Sequence, residues 1–172
     1  MWNFLDSQKP AEDSINWAKP SNMTTRAIGS LLVFLQFGLL FVFAVLCWIE
    51  AGTSLPGLFA FGLWWMGAVV GLWALRSNRP GNFNIHPEPR AGGHLIQGGP
   101  YRWIRHPMYS AVLLVAAGCA AWLSTLGGAA LWCALLGVLS LKAAVEENML
   151  LVRYPEYAAY KAHTARFLPG VY

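Results

Sequence analysis

The chain has 172 residues, of which 56% are hydrophobic and 12% charged, whereas a soluble domain carries about 25% charged residues. This excludes an ordinary water-soluble globule and points to an integral membrane protein, at a length that suits one unit without a second domain. The net charge of +4 does not mark a nucleic-acid binder, because the basic residues form no run and flank apolar stretches; there they orient spans and meet the headgroups of membrane lipids.

Residues 1–22 mix Trp2, Phe4, Ile15 and Trp17 with Asp6, Lys9, Glu12, Asp13 and Lys19, and include Pro10 and Pro20. They lack the early apolar core of a signal peptide, and the mixture predicts an element lying on the membrane surface. Four apolar stretches follow, over about 27–49, 55–75, 107–124 and 128–145. A helix needs roughly 20 apolar residues to cross the hydrocarbon core, so the last two borrow their polar flanks. Thr125-Leu126-Gly127 is all that separates them, which predicts a tight helical hairpin. Nine Trp and six Tyr suit two interfacial belts. Cys47, Cys119 and Cys133 lie within apolar stretches and read as small core residues.

All 12 Lys and Arg fall on one side of this four-span arrangement: Lys9, Lys19 and Arg26; then Arg76, Arg79, Arg90, Arg102 and Arg105; then Lys142, Arg153, Lys161 and Arg166. Glu50 is the one charged residue on the other side. The positive-inside rule places both termini and the long middle loop in the cytoplasm. That loop, 76–106, holds Pro80, Pro87, Pro89 and Pro100 with five glycines. It cannot be a long helix and reads as an ordered, irregular loop able to wrap a ligand. After the fourth span the chain stays helix-friendly to Arg153, breaks at Tyr154-Pro155, and restarts as a helix in which Tyr157 and Tyr160 share a face. That helix is expected to stop near Leu168-Pro169-Gly170.

Two polar clusters stand at the same predicted end of the bundle. Adjacent carboxylates Glu146-Glu147 close the fourth span; one of the two can anchor a cationic group such as an α-amine, since carboxylates at a membrane boundary usually mark such work. Arg105-His106-Pro107 opens the third span, with Pro107 suited to the first helical position and free N–H groups there for a carboxylate or ribose oxygens. His94-Leu95-Ile96 sits between two glycine pairs and can hold a flat heterocycle. His86, His94 and His106 lack metal-ligand spacing, so no metal is expected. Neither a Rossmann fingerprint nor a P-loop is present.

These segments, in order, carry a resemblance. His94-Leu95-Ile96, Gly99-Pro100-Tyr101, Arg105-His106-Pro107-Met108-Tyr109, Glu146-Glu147-Asn148-Met149-Leu150, Tyr157-Ala158-Ala159-Tyr160 and Arg166-Phe167-Leu168-Pro169 together resemble the isoprenylcysteine carboxyl methyltransferase and phospholipid methyltransferase superfamily of integral membrane enzymes. The likeness covers about 78–169, and the first two spans match only as apolar helices. It implies S-adenosylmethionine as methyl donor, with His94, Leu95 and Ile96 at the adenine end. Pro100, Tyr101, His106, Pro107 and Tyr109 would line the ribose and methionine region. Glu146 and Glu147 would include the residue holding the methionine amine, and Arg166 would lie near the reacting centre. Where prenylcysteine enzymes carry Arg before the Glu pair this chain has Lys142, and where they carry Phe-Gly it has Tyr154-Pro155.

The expected architecture is therefore an all-α integral membrane protein of about four transmembrane helices. It divides into a cytoplasmic N-terminal segment (1–26), two spans (27–75), a cofactor loop (76–106), a helical hairpin (107–145) and a cytoplasmic C-terminal helix (146–172). Methyl transfer is an in-line displacement, in which an enzyme chiefly positions two reactants and excludes water. A carboxylate acceptor needs a cation, from Arg105, Arg166 or Lys142. An amine or thiol acceptor needs a proton acceptor, from His94, His106 or a Tyr. The residues expected to act on the acceptor are Arg166, Arg105 and His106, and the acceptor is a hydrophobic or lipid-anchored molecule. Two alternatives are an NADPH-dependent membrane reductase, which shares an Arg-His-Pro pattern but would find the Glu pair repelling its phosphates, and a non-catalytic membrane scaffold.

Overall fold

The computed structural model describes residues 23–78 and 95–171. The expected surface element at 1–22, most of the middle loop and His94 lie outside the described residues. The described part is all-helical: α1 (Met23–Glu50), α2 (Leu58–Ser77), a 3₁₀ turn (Gly99–Arg102), α3 (Pro107–Leu123), α4 (Leu126–Arg153) and α5 (Tyr157–His163). Helices α1, α2 and α4 are long and apolar enough to cross a membrane, and α3 is a shorter apolar helix. The chain is a multi-pass membrane protein.

Helix length fixes where the polar residues stand. At 1.5 Å per residue, a hydrocarbon core about 30 Å thick is crossed in about 20 residues. Counted from Leu126, that distance ends beside Glu146 and Glu147. Helix α4 has 28 residues, so its last two turns carry the carboxylates and Arg153 beyond the apolar layer.

The spans pack through small residues and aromatic donors. Ala60, Gly67 and Ala74 mark the buried face of α2. A Cβ on Gly118 of α3 would come within 2.5 Å of the Trp64 ring, so α2 and α3 approach as closely as membrane helices do when small residues line the seam. Trp64 Nε1 donates to the Val115 carbonyl at 3.1 Å, and Trp132 Nε1 to that of Leu113 at 2.9 Å. Phe43, Leu113, Ala116, Leu135 and Leu139 form the buried core. Phe34, Phe41, Trp48, Leu58 and Trp65 are exposed, as lipid-facing side chains are.

Both short connections lie at one end. Trp122 Nε1 donates to Ser54 Oγ at 3.2 Å, which joins the α1–α2 connection to the close of α3. The α3–α4 link is tighter than expected, with only Ser124 and Thr125 between the helices. Thr125 Oγ1 accepts from Gly128 N at 3.1 Å and so caps α4.

At the opposite end the 3₁₀ turn tucks under α2. Gly99 has φ +61, and a Cβ there would fall 2.1 Å from Ser77 Oγ. Helix α5 closes at His163, earlier than the expected stop near Leu168. The reason is backbone pairing with the segment before α3: Arg105 N donates to Ala165 O at 2.8 Å, His106 N to Arg166 O at 3.1 Å, and Ala165 N to Trp103 O at 3.0 Å. A helix through 164–167 would leave those buried groups without partners.

A candidate active site of two unequal carboxylates

This pairing delivers the tail to the start of α3. Pro107 takes the first helical position with its ring-fixed φ, so His106 is held just outside the helix and Tyr109 stands in its first turn. The His106 and Tyr109 rings stack 5.3 Å apart and 3° from parallel. Phe167 lies against both, at 6.2 and 6.4 Å. Ser110 Oγ ties it there by donating to the Phe167 carbonyl at 2.6 Å.

Successive residues on a helix point about 100° apart, so Glu146 and Glu147 face different surroundings. Glu147 is 1% exposed and fully engaged. Its Oε1 receives Arg105 Nε at 3.0 Å, Arg166 Nε at 3.2 Å and His106 Nε2 at 3.3 Å. Its Oε2 receives Lys161 Nζ at 2.8 Å and Arg166 Nη2 at 3.3 Å. Glu146 is more open: Tyr109 Oη donates to its Oε1 at 2.5 Å, and His106 Nδ1 lies 3.5 Å from its Oε2.

One imidazole therefore spans both carboxylates. Burial pulls the His106 pKa down, but hydrogen bonds and charge from Glu146 and Glu147 outweigh it and leave the value above the ordinary 6.5. The protonated ring can donate from both nitrogens. Tyr101 is pushed up to about 12, first by burial and then by the Glu146 charge. Its carbonyl accepts from Tyr160 Oη at 2.6 Å, which docks α5 on the 3₁₀ turn.

Arg105 is locked. Besides Glu147, its Nη1 donates to the carbonyls of Lys161, at 3.1 Å, and Thr164. Its Nη2 and the Tyr157 hydroxyl are buried and have no hydrogen-bond partner among the described residues. Such groups are costly in a folded protein unless something satisfies them. Deeper in the bundle, Lys142 Nζ donates to Gln36 Oε1 of α1 at 3.0 Å and lies 5.1 Å from the centre of the Tyr109 ring.

Of the residues singled out from sequence, Arg105, His106, Tyr109, Glu146, Glu147 and Arg166 converge on this one cluster. Pro100 and Pro107 are buried in its frame. Leu95 and Ile96 lie half-buried, without regular structure, ahead of the 3₁₀ turn. Sequence reasoning passed over Lys161 and Gln36. Lys161 follows Tyr157 by four positions and so shares its helical face. Gln36 is the one side-chain amide within an apolar stretch of 23 residues, 27–49.

A family model described as phospholipid methyltransferase matches residues 56–157. That range runs from just before α2 into the start of α5 and contains Arg105, His106, Tyr109 and both carboxylates. No curated protein matches the chain.

Proposed function

The chain belongs to the phospholipid methyltransferase family, and on that premise we propose that it transfers a methyl group from S-adenosylmethionine to a lipidic or hydrophobic acceptor at the cytoplasmic membrane face. The observation that carries this reading is the inequality of the carboxylates. Glu147 has its charge matched within the fold, whereas Glu146 is held, among the described residues, by a phenol and an imidazole and is partly open, at 17% side-chain exposure.

The donor set fits the amino-acid end of such a cofactor. Glu146 suits its cationic amine, and the unpartnered Arg105 Nη2 suits a carboxylate oxygen. His94, Leu95 and Ile96 would line the adenine end, and Pro100, Tyr101, His106, Pro107 and Tyr109 the ribose and methionine region. When bound, the cofactor supplies an electrophilic methyl group on a sulfonium. The protein's task is then to bind, orient and keep water out. His106 holds both carboxylates at a fixed separation, and Arg105 and Arg166 hold Glu147, which anchors the turn of α4 carrying Glu146. A carboxylate acceptor needs no base. For an amine or thiol acceptor, the proton passes to His94, or to His106 once the pH exceeds its raised pKa.

Arg76, Arg102, Arg105, Arg153, Lys161 and Arg166 belong to the end of the bundle that holds the site, and Glu50 to the other, which supports a cytoplasmic site under the positive-inside rule. The test is turnover of labelled methyl donor with a prenylated cysteine, a phosphatidylethanolamine and a long-chain thiol. At least one should be methylated, and a small acceptor without a tail should not. Methylation of the tailless acceptor alone would overturn the lipidic assignment.

A further inference from the structure

The three cysteines are not equivalent in the fold. Cys133 is exposed on α4, whereas Cys47 of α1 and Cys119 of α3 are half-buried and their side chains are hydrogen-bonded to each other. The pairing follows from register. Phe43 and Ala116 both belong to the buried core. Cys47 comes four residues after the first and Cys119 three after the second, spacings that keep each cysteine on the same helix face. Cys47 stands three residues before the close of α1 and Cys119 four before the close of α3, so each lies about 5–6 Å inside its helix end. Those ends are tied at one level, because Trp122 Nε1 donates to Ser54 Oγ. Ser54 in turn donates to Glu50 Oε1 at 2.6 Å. The thiol pair therefore sits one turn beneath a polar rim, at the end of the bundle opposite Glu146 and Glu147.

A thiol is a weak donor and a weak acceptor, so this contact contributes little as a hydrogen bond; the chemistry particular to the pair is oxidation. Its sulfurs already face one another, as a disulfide requires. Under the positive-inside orientation the rim faces away from the cytoplasm, and disulfides form and persist on that side of a membrane. We propose that Cys47 and Cys119 are a dithiol that closes into a disulfide at the outer face, with a dissolved organic disulfide as oxidant, and so clamps α1 to α3. One protein thiol attacks the oxidant's S–S bond as its thiolate, forming a mixed disulfide as the oxidant's first sulfur leaves. The other protein thiol attacks the protein sulfur of that mixed disulfide and releases the second. The two cysteines are oxidised, the oxidant is reduced to two thiols, and these carry away the two protons. Helix α1 lies outside the family match at 56–157, so the clamp fastens to that range the span whose Gln36 holds Lys142. The proposal rests on the orientation of the bundle and not on methyl transfer.

The test counts the thiols that react with a maleimide in denatured protein. In protein from acid-quenched cells, Cys133 alone should react before reduction and all three cysteines after it. Reduced, detergent-purified protein treated with oxidised glutathione should give the same counts. Cys133→Ala should show no reactive thiol before reduction and two after. The disulfide closes a loop of about 70 residues and should raise Tm by about 4–16 °C over the reduced parent, a difference absent from Cys47→Ala. Three reactive thiols in the glutathione-treated parent, or a disulfide that is lost in Cys133→Ala, overturns the pairing. A disulfide that forms in the purified protein while the cell-derived protein shows three reactive thiols overturns oxidation at the outer face, and with it the proposal. Equal melts of the oxidised and reduced parent overturn the clamp. None of these results bears on the methyltransferase reading.

Discussion

Glu147→Gln should unfold this protein far more readily than Glu146→Gln, although the two changes are chemically identical and adjacent. Glu147 is almost fully buried, and both its oxygens accept from cations. A glutamine there keeps the shape but loses the charge and turns one acceptor into an NH₂ donor. If the nitrogen replaces Oε2, it faces Lys161 Nζ and Arg166 Nη2; if it replaces Oε1, it faces Arg105, Arg166 and His106. Neither flip satisfies the cluster. Removing one partner from a buried ion pair costs about 3–5 kcal/mol. For a chain of 172 residues, each kcal/mol lowers Tm by about 2–4 °C, so the loss should be about 6–20 °C. Glutamine at 146 can still accept from Tyr109 Oη and should cost about 1 kcal/mol. Thermal unfolding in detergent, followed by tryptophan fluorescence, measures both variants. A Glu147→Gln melt within about 2 °C of the parent, or one above that of Glu146→Gln, would refute the inequality of the two carboxylates.

Further outcomes follow from the same geometry. Gly99→Ala forces an L residue to φ +61 and a Cβ into Ser77 Oγ, and should destabilise by about 1–2 kcal/mol or more, read as a lowered Tm; an unchanged Tm would refute the close approach of the 3₁₀ turn to α2. His106 has a raised folded pKa, so the stability from its paired charge should be full below about 6.5 and fall as pH rises through the raised value. Melts taken upward from pH 6 should show this slope in the parent and not in His106→Asn; equal profiles would remove the charged imidazole from the account. Single-Cys variants at Ser54 and Thr125 should react with an impermeant thiol reagent outside whole cells while one at Ser77 should not, and the reverse pattern would invert the orientation.

Much of this arrangement was legible in the sequence because it follows from local pattern. Pro107 after a polar cluster fixes the start of α3, and the carboxylate pair sits where a spanning helix leaves the apolar layer. What was not legible depends on pairing across long separations. Residues 164–167 look helix-compatible in isolation, yet they are drawn out because the backbone of 103–106 needs partners. The split between Glu146 and Glu147 was equally hidden: adjacent residues on a helix differ only in direction, and the tail decides which direction is closed by bringing Lys161 and Arg166 over Glu147. Gln36 gives no local signal of its partner, because only the packing of α1 against α4 brings Lys142 opposite it.

The measurement that bears most directly on the central claim is calorimetric titration of the detergent-purified protein with S-adenosylhomocysteine and, separately, with NADPH. The account predicts saturable binding of the first and none of the second, with Glu146→Gln weakening that binding by about 2–5 kcal/mol as a lost charge partner should. Binding of NADPH, or S-adenosylhomocysteine affinity unchanged in Glu146→Gln, would contradict it.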